Sequence, residues 1–176
     1  KLAQERPLAL YCDIHGHSRR KNAFFYGNGS PTEPNAARVF PFLMSKLAQP
    51  HYSYDYSRFN TNRTKEQTAR IAVWRDLGSK HSNIYTMEAS FCGPKPVKFE
   101  PHRGKAKAPT AQELNYHFNT QDYLELGQNL CKTLAVYRTA SETTMGIQNI
   151  EYQIEQYHIE KEAKLEQEDL IRSQKA

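Results

Sequence analysis

At 176 residues and 20.4 kDa the chain is long enough for one sizeable core, and length argues for one domain, at most two. Hydrophobic residues at 38% and charged residues at 24% exclude a disordered or fibrous chain, and no apolar run approaches the roughly 20 residues of a membrane-spanning helix. A formal charge of +5 admits acidic peptides, nucleic acid or an anionic membrane as partners without choosing among them, and the odd set of Cys12, Cys92 and Cys131, with no CxxC spacing, suits a reducing compartment.

The first predicted element is a strand. "PLALYCDI", residues 7–14, is a nearly continuous apolar run bounded by Pro7 and the polar "HGHS", the pattern of a strand buried on both faces. Its carboxyl end falls at His15, and ligands of doubly wound sheets sit beyond such ends. Gly27–Pro34, dense in turn formers, reads as loop. "NAARVFPFLMSKLAQ" then places Val39, Leu43 and Leu47 at helical spacing, with Pro41 expected in the first turn. "HYSYDYSRF" alternates, which predicts a half-buried strand with Tyr52, Tyr54 and Tyr56 on one side. A helix over 64–78 is expected from a cap-like Thr64 and a closing Gly78, and "NIYTMEASF", residues 83–91, predicts another strand.

Residues 93–110, with four prolines and six basic side chains counting His102, predict a long loop. The clearest helix follows, with Tyr123, Leu126, Leu130, Leu134 and Tyr137 at spacings of three or four and Asn119 or Thr120 as its cap. After Gly146 a stripe of Ile147, Ile150, Ile154 and Tyr157 offers itself to a partner and dissolves into an exposed, charged terminal helix.

Two strand ends carry chemistry: His15, and Glu88 within "NIYTMEASF". A glutamate in an apolar strand is costly to bury unless partnered or functional. Beside a metal at His15, Glu88 is suited to take a proton from the attacking water and pass it to a leaving amine. Asp13, next but one along the strand, shares the side of His15 and could orient the imidazole. The ordinary alternatives are a surface histidine and a structurally paired glutamate. Catalytic zinc needs three protein ligands, and no HxxE occurs in the sequence to supply two more.

Five segments together resemble the cytosolic carboxypeptidases, zinc metallopeptidases that trim glutamates from tubulin and other proteins. "YCDIHGHSRRKNAFFYG" is similar to that family's "DLHGHSRKKNxFxYG" segment. "SRF", "KEQTARIAVWRDLG", "NIYTMEASFCG" and "HFNTQDYLELGQNLCKTL" fall in the family's order, from Leu8 to Tyr137. The resemblance implies an α/β fold, part of a mixed-sheet zinc-carboxypeptidase domain (its C-terminal half), ending in long helices. Residues 1–140 would be that portion and 141–176 a helical extension.

The same resemblance implies zinc as cofactor, His15 as the third zinc ligand and Glu88 as general base and acid. It also implies Arg70 as a reader of acidic side chains, with Gly16 and His17 lining substrate subsites. An Arg fork suits a carboxylate, though Arg70 also fits a solvent-facing helix arginine. Ala69 stands where the family's motif has glycine, and no counterpart of a substrate-clamping tyrosine is identifiable among Tyr52, Tyr54 and Tyr56. The family's HxxE half-site, with the arginine and asparagine that hold a terminal carboxylate, lies upstream of this segment. It is expected outside this chain, which begins at Lys1, so the fragment alone is expected to be inactive.

The partners implied are polyglutamylated or acidic-tailed proteins such as tubulin, and the N-terminal half of the domain or a chain supplying it, with neither nucleic acid nor membrane. The basic "KPVKFEPHRGKAK" fits acidic substrates, as would any solvated loop. The location implied is cytoplasmic, at microtubules or cilia. The competing reading is a non-catalytic cytoskeletal or ciliary protein that keeps the fold.

Overall fold

β3 (Ile84–Ser90) is the centre of a three-stranded sheet because its residues are buried almost throughout, and a strand covered on both faces must also be paired on both edges. In a computed structural model, which describes residues 8–30, 32–60, 68–77, 83–95 and 116–174, β1 (Tyr11–His17) pairs with it in parallel. β2 (Ala23–Tyr26) pairs antiparallel on the other side. Successive β1 and β2 therefore never touch as a hairpin; β3 lies between them.

One face of the sheet holds the core. Cys12, Phe25, Tyr85 and Met87 point to it and meet Val39, Phe40 and Met44 of helix α1 (Ala36–Leu47), Leu126 of α3 (Thr120–Ser141) and Ile150 and Ile154 of α4 (Thr144–Ser173). Burial pushes the Cys12 thiol up to about 12, so it is a packing group, inert as a thiolate. The other face carries Asp13, His15, His17, Thr86, Glu88, Phe24 and Tyr26, and helix α2 (Ala69–Leu77) approaches β1 and β3.

Several expectations need correction. β1 is not buried on both faces: Ile14 is 59% exposed, and among the described residues β1 is an edge strand. Pro41 sits in the second turn of α1 rather than the first. Its missing N–H would orphan the carbonyl of Ala37, and the Tyr85 hydroxyl donates to that oxygen at 3.0 Å instead.

The tyrosine-rich segment is not a strand. Tyr52 and Arg58 make isolated bridges to Ala23 and Tyr26, but Tyr54–Tyr56 between them is a 3-10 turn. Its cause is a bond to a remote part of the chain: the Phe25 N–H bonds Ser57 Oγ at 3.0 Å, so a side chain satisfies the donor that a ladder would have used. The apolar stripe of α4 is not free for a partner either, since Ile150 and Ile154 fill this chain's own core. Beyond Lys161 the helix is exposed. The Thr64 cap, Gly78 and residues 96–110 of the basic loop lie outside the described residues.

The long helices start as their caps dictate. Asn119 and Asp122 form a reciprocal capping box at α3, and Thr143 caps α4.

Candidate active site

The parallel register puts His15 directly beside Glu88. Side chains alternate along a strand, so Asp13, His15 and His17 emerge on one face of β1, the face that Glu88 shares. His15 Nε2 lies 2.9 Å from Asp13 Oδ2, and the imidazole is half exposed. A carboxylate beside Nε2 favours the tautomer with the proton there, which would leave the Nδ1 lone pair for a metal, the usual support of a metal-bound histidine. His15 thus fits a single ligand position. Among the described residues no three His, Cys, Asp or Glu side chains converge to complete a metal site.

Glu88 sits deeper than His15. Its carboxylate Oε2 is 3.4 Å from Nδ1 of His17, and the two side chains are 16% and 19% exposed. The His17 ring stands edge-on to Phe24 with centroids 5.1 Å apart, and its buried Nε2 has no hydrogen-bond partner among the described residues. Phe24 itself is fully buried and lies beside Glu88 in the β2–β3 register. Gly16 belongs to the opposite side of β1: a Cβ there would stand 2.2 Å from the Phe91 ring, so the strand accepts that ring only because residue 16 has no side chain. Gly16 and His17 therefore face different surfaces.

Arg70, the second residue of α2, is not a solvent-facing helix arginine. It is 2% exposed, and its Nη1 donates to Gly27 O at 2.8 Å and to the side-chain oxygen of Asn28. Burial lowers its pKa from the ordinary arginine value. Arg70 Nε and Asn28 Nδ2 remain buried donors without partners among the described residues. Arg70 thus reaches from α2 to Gly27 and Asn28, just past the end of β2 whose Tyr26 pairs with Thr86, two positions along β3 from Glu88. Arg20, from the basic run after His17, lies over the rings of Phe24 and Tyr56 at 5.6 and 5.9 Å.

One residue that frames the site escapes sequence reasoning. Asn22 adopts a left-handed φ of 64°, takes Lys95 N on its side-chain oxygen and donates from Nδ2 to Pro50 O at 2.6 Å. Its backbone N–H bonds Gly93 O, so it ties the β1–β2 turn to the exit of β3, two residues beyond Glu88. The one signal is its residue type, since asparagine is among the few side chains that accept this conformation.

Comparison with known proteins gives the following. The chain is 33% identical over 141 residues to cytosolic carboxypeptidase 3 of Bos taurus, 78% of this chain but 12% of that protein. It is 35% identical over 140 residues to cytosolic carboxypeptidase 2 of Xenopus tropicalis and 36% identical over 136 residues to cytosolic carboxypeptidase 2 of Mus musculus, which it spans for 13% and 14% of their lengths. A metallo-carboxypeptidase from Burkholderia cenocepacia has the same fold at a TM-score of 0.53 and 15% identity, over 78% of this chain and 32% of that one. No family profile matches the chain.

Proposed function

Over the matched 78% of its length this chain belongs with the cytosolic carboxypeptidases, and from that premise we propose that the protein carrying it is a zinc metallocarboxypeptidase that releases C-terminal or side-chain glutamates from polyglutamylated proteins such as tubulin. The supporting observation is the register: His15 and Glu88 stand side by side on the face of the sheet that the core does not use. His15 would hold the zinc through Nδ1, Asp13 would fix its ring, and the remaining ligands, including an HxxE pair, would come from outside this chain. Zinc bound there would polarise the scissile carbonyl and acidify water.

Glu88 would accept the proton of the attacking water as the C–O bond forms and hand it to the departing amine as the C–N bond breaks. Arg70 would read the acidic side chain through the donors that Gly27 and Asn28 leave free, Nε among them. Gly16 would border a substrate subsite beside β1. A cytoplasmic setting near microtubules or cilia follows from this reading; no helix among the described residues is long and apolar enough to cross a membrane.

The test is zinc stoichiometry and glutamate release by the protein that carries this chain. Zinc near one per molecule, lost in His15→Ala, together with a Glu88→Gln variant that keeps the metal and loses turnover, is the expected result. Wild-type protein that neither binds zinc nor releases glutamate would reject this reading in favour of a non-catalytic cytoskeletal or ciliary role.

A further inference from the structure

We propose that His17 is the positioning residue for Glu88, holding Oε2 through its Nδ1–H so that the other carboxylate oxygen faces the reacting water. The inference rests on the reading of Glu88 as the proton-transfer group.

The geometry that supports it comes from three elements. β1 presents Nδ1 of His17 at 3.4 Å from Glu88 Oε2 on β3, and β2 supplies Phe24, whose fully buried ring meets the imidazole edge-on at an interplanar angle of 87°. That packing leaves the imidazole little room to turn, since it is fenced by Phe24 on one side and by the carboxylate on the other. The two ring nitrogens are then distinguished by their surroundings. Nδ1 has a carboxylate oxygen in reach, whereas the buried Nε2 has no partner among the described residues. A proton on Nε2 would bury an unsatisfied N–H and turn a lone pair toward the carboxylate; a proton on Nδ1 does neither. The favoured neutral tautomer is therefore Nδ1–H.

This assignment differs from a subsite role. With its side chain 19% exposed and one nitrogen sealed away, His17 offers substrate little surface, while its contact with Glu88 is direct. His15 is not placed for the same work, because its Nε2 lies against Asp13 and its Nδ1 is the atom proposed for the metal. Each histidine of the HGH segment thus has its own carboxylate: Asp13 orients His15, and His17 orients Glu88.

Two measurements test this. In the nitrogen-15-labelled chain, the imidazole signals of His17 should report the proton on Nδ1, and Glu88→Ala should remove that preference. A wild-type ring protonated on Nε2 would overturn the proposal. In the protein that carries the chain, His17→Phe keeps an aromatic edge against Phe24 but offers no N–H, and should lower kcat about a hundredfold with KM little changed. His17→Asn, whose amide nitrogen stands close to the place of Nδ1, should recover most of that loss. Equal losses in both variants, or a rise in KM alone, would assign His17 to packing or to substrate instead. Full turnover in Glu88→Gln would sink the underlying reading, and the tautomer result would then show whether the His17–Glu88 geometry survives without that chemistry.

Discussion

A guanidinium as deeply placed as that of Arg70 has to find acceptors inside the protein, and Gly27 O and Asn28 Oδ1 are the ones it finds. Replacing it by methionine strands both and should lower stability by about 1–3 kcal/mol, read from the urea midpoint. The proposed role in specificity needs a separate measurement: Arg70→Leu, assayed at equal folded fraction, should narrow the preference for acidic over neutral C-terminal residues. An unchanged preference would remove Arg70 from the substrate site. Gly93 is held by its backbone rather than by its partners. At a φ of 83°, with a would-be Cβ 2.4 Å from Tyr116 O, Gly93→Ala combines a left-handed penalty of roughly 1–2 kcal/mol with a backbone clash. It should unfold at distinctly lower denaturant than Gly127→Ala, where a Cβ meets nothing.

Among the elements, α1 and α3 each depend on one bond that crosses to another part of the fold. Tyr85→Phe should cost about 1–3 kcal/mol, because the Ala37 carbonyl then has no donor; in a Pro41→Ala background, where the helix regains its own N–H, the same change should cost less. A thermodynamic cycle on the two positions measures that coupling, and additive losses would refute it. At the start of α3, burial tends to raise the Asp122 pKa, but bonds from Asn119 N, the Tyr116 hydroxyl and His51 outweigh it and hold the carboxyl below its ordinary value. A depressed carboxylate stabilises the fold above its unfolded pKa, and that contribution fades as pH falls through the folded value. Stability should therefore drop with acid from about pH 4 downward, and Asp122→Asn should flatten this part of the profile in an acid titration followed by circular dichroism.

Across the whole molecule, α4 divides into a part that belongs to the core and a part that does not. Ile154→Ala should cost about 2–5 kcal/mol, whereas removing residues 162–176 should leave the melting temperature nearly unchanged. The helix of α4 was legible from the spacing of Ile150 and Ile154, though not that its stripe fills this chain's own core, and β3 and α3 were legible from β-branched composition and helical spacing, because those signals come from the residues themselves. What was not legible depends on partners remote in the chain. Ser57 reshapes the tyrosine segment through Phe25, Tyr85 relieves Pro41, and Arg70 is buried by what lies over it. At the site, His15 and Glu88 were readable as residue types, but the engagement of Glu88 by His17 exists only once the register is set. That register has a further consequence in time. β1 and β3 are joined in parallel with α1, the 3-10 turn and α2 between them in the chain, so their pairing must await closure of a long loop. The helices can form from local contacts while Asp13, His15, His17 and Glu88 are still apart. A folding experiment should see helical signal before the His17 tautomer signature, and any fluctuation that parts β1 from β3 dismantles the chemistry while most of the helical signal survives.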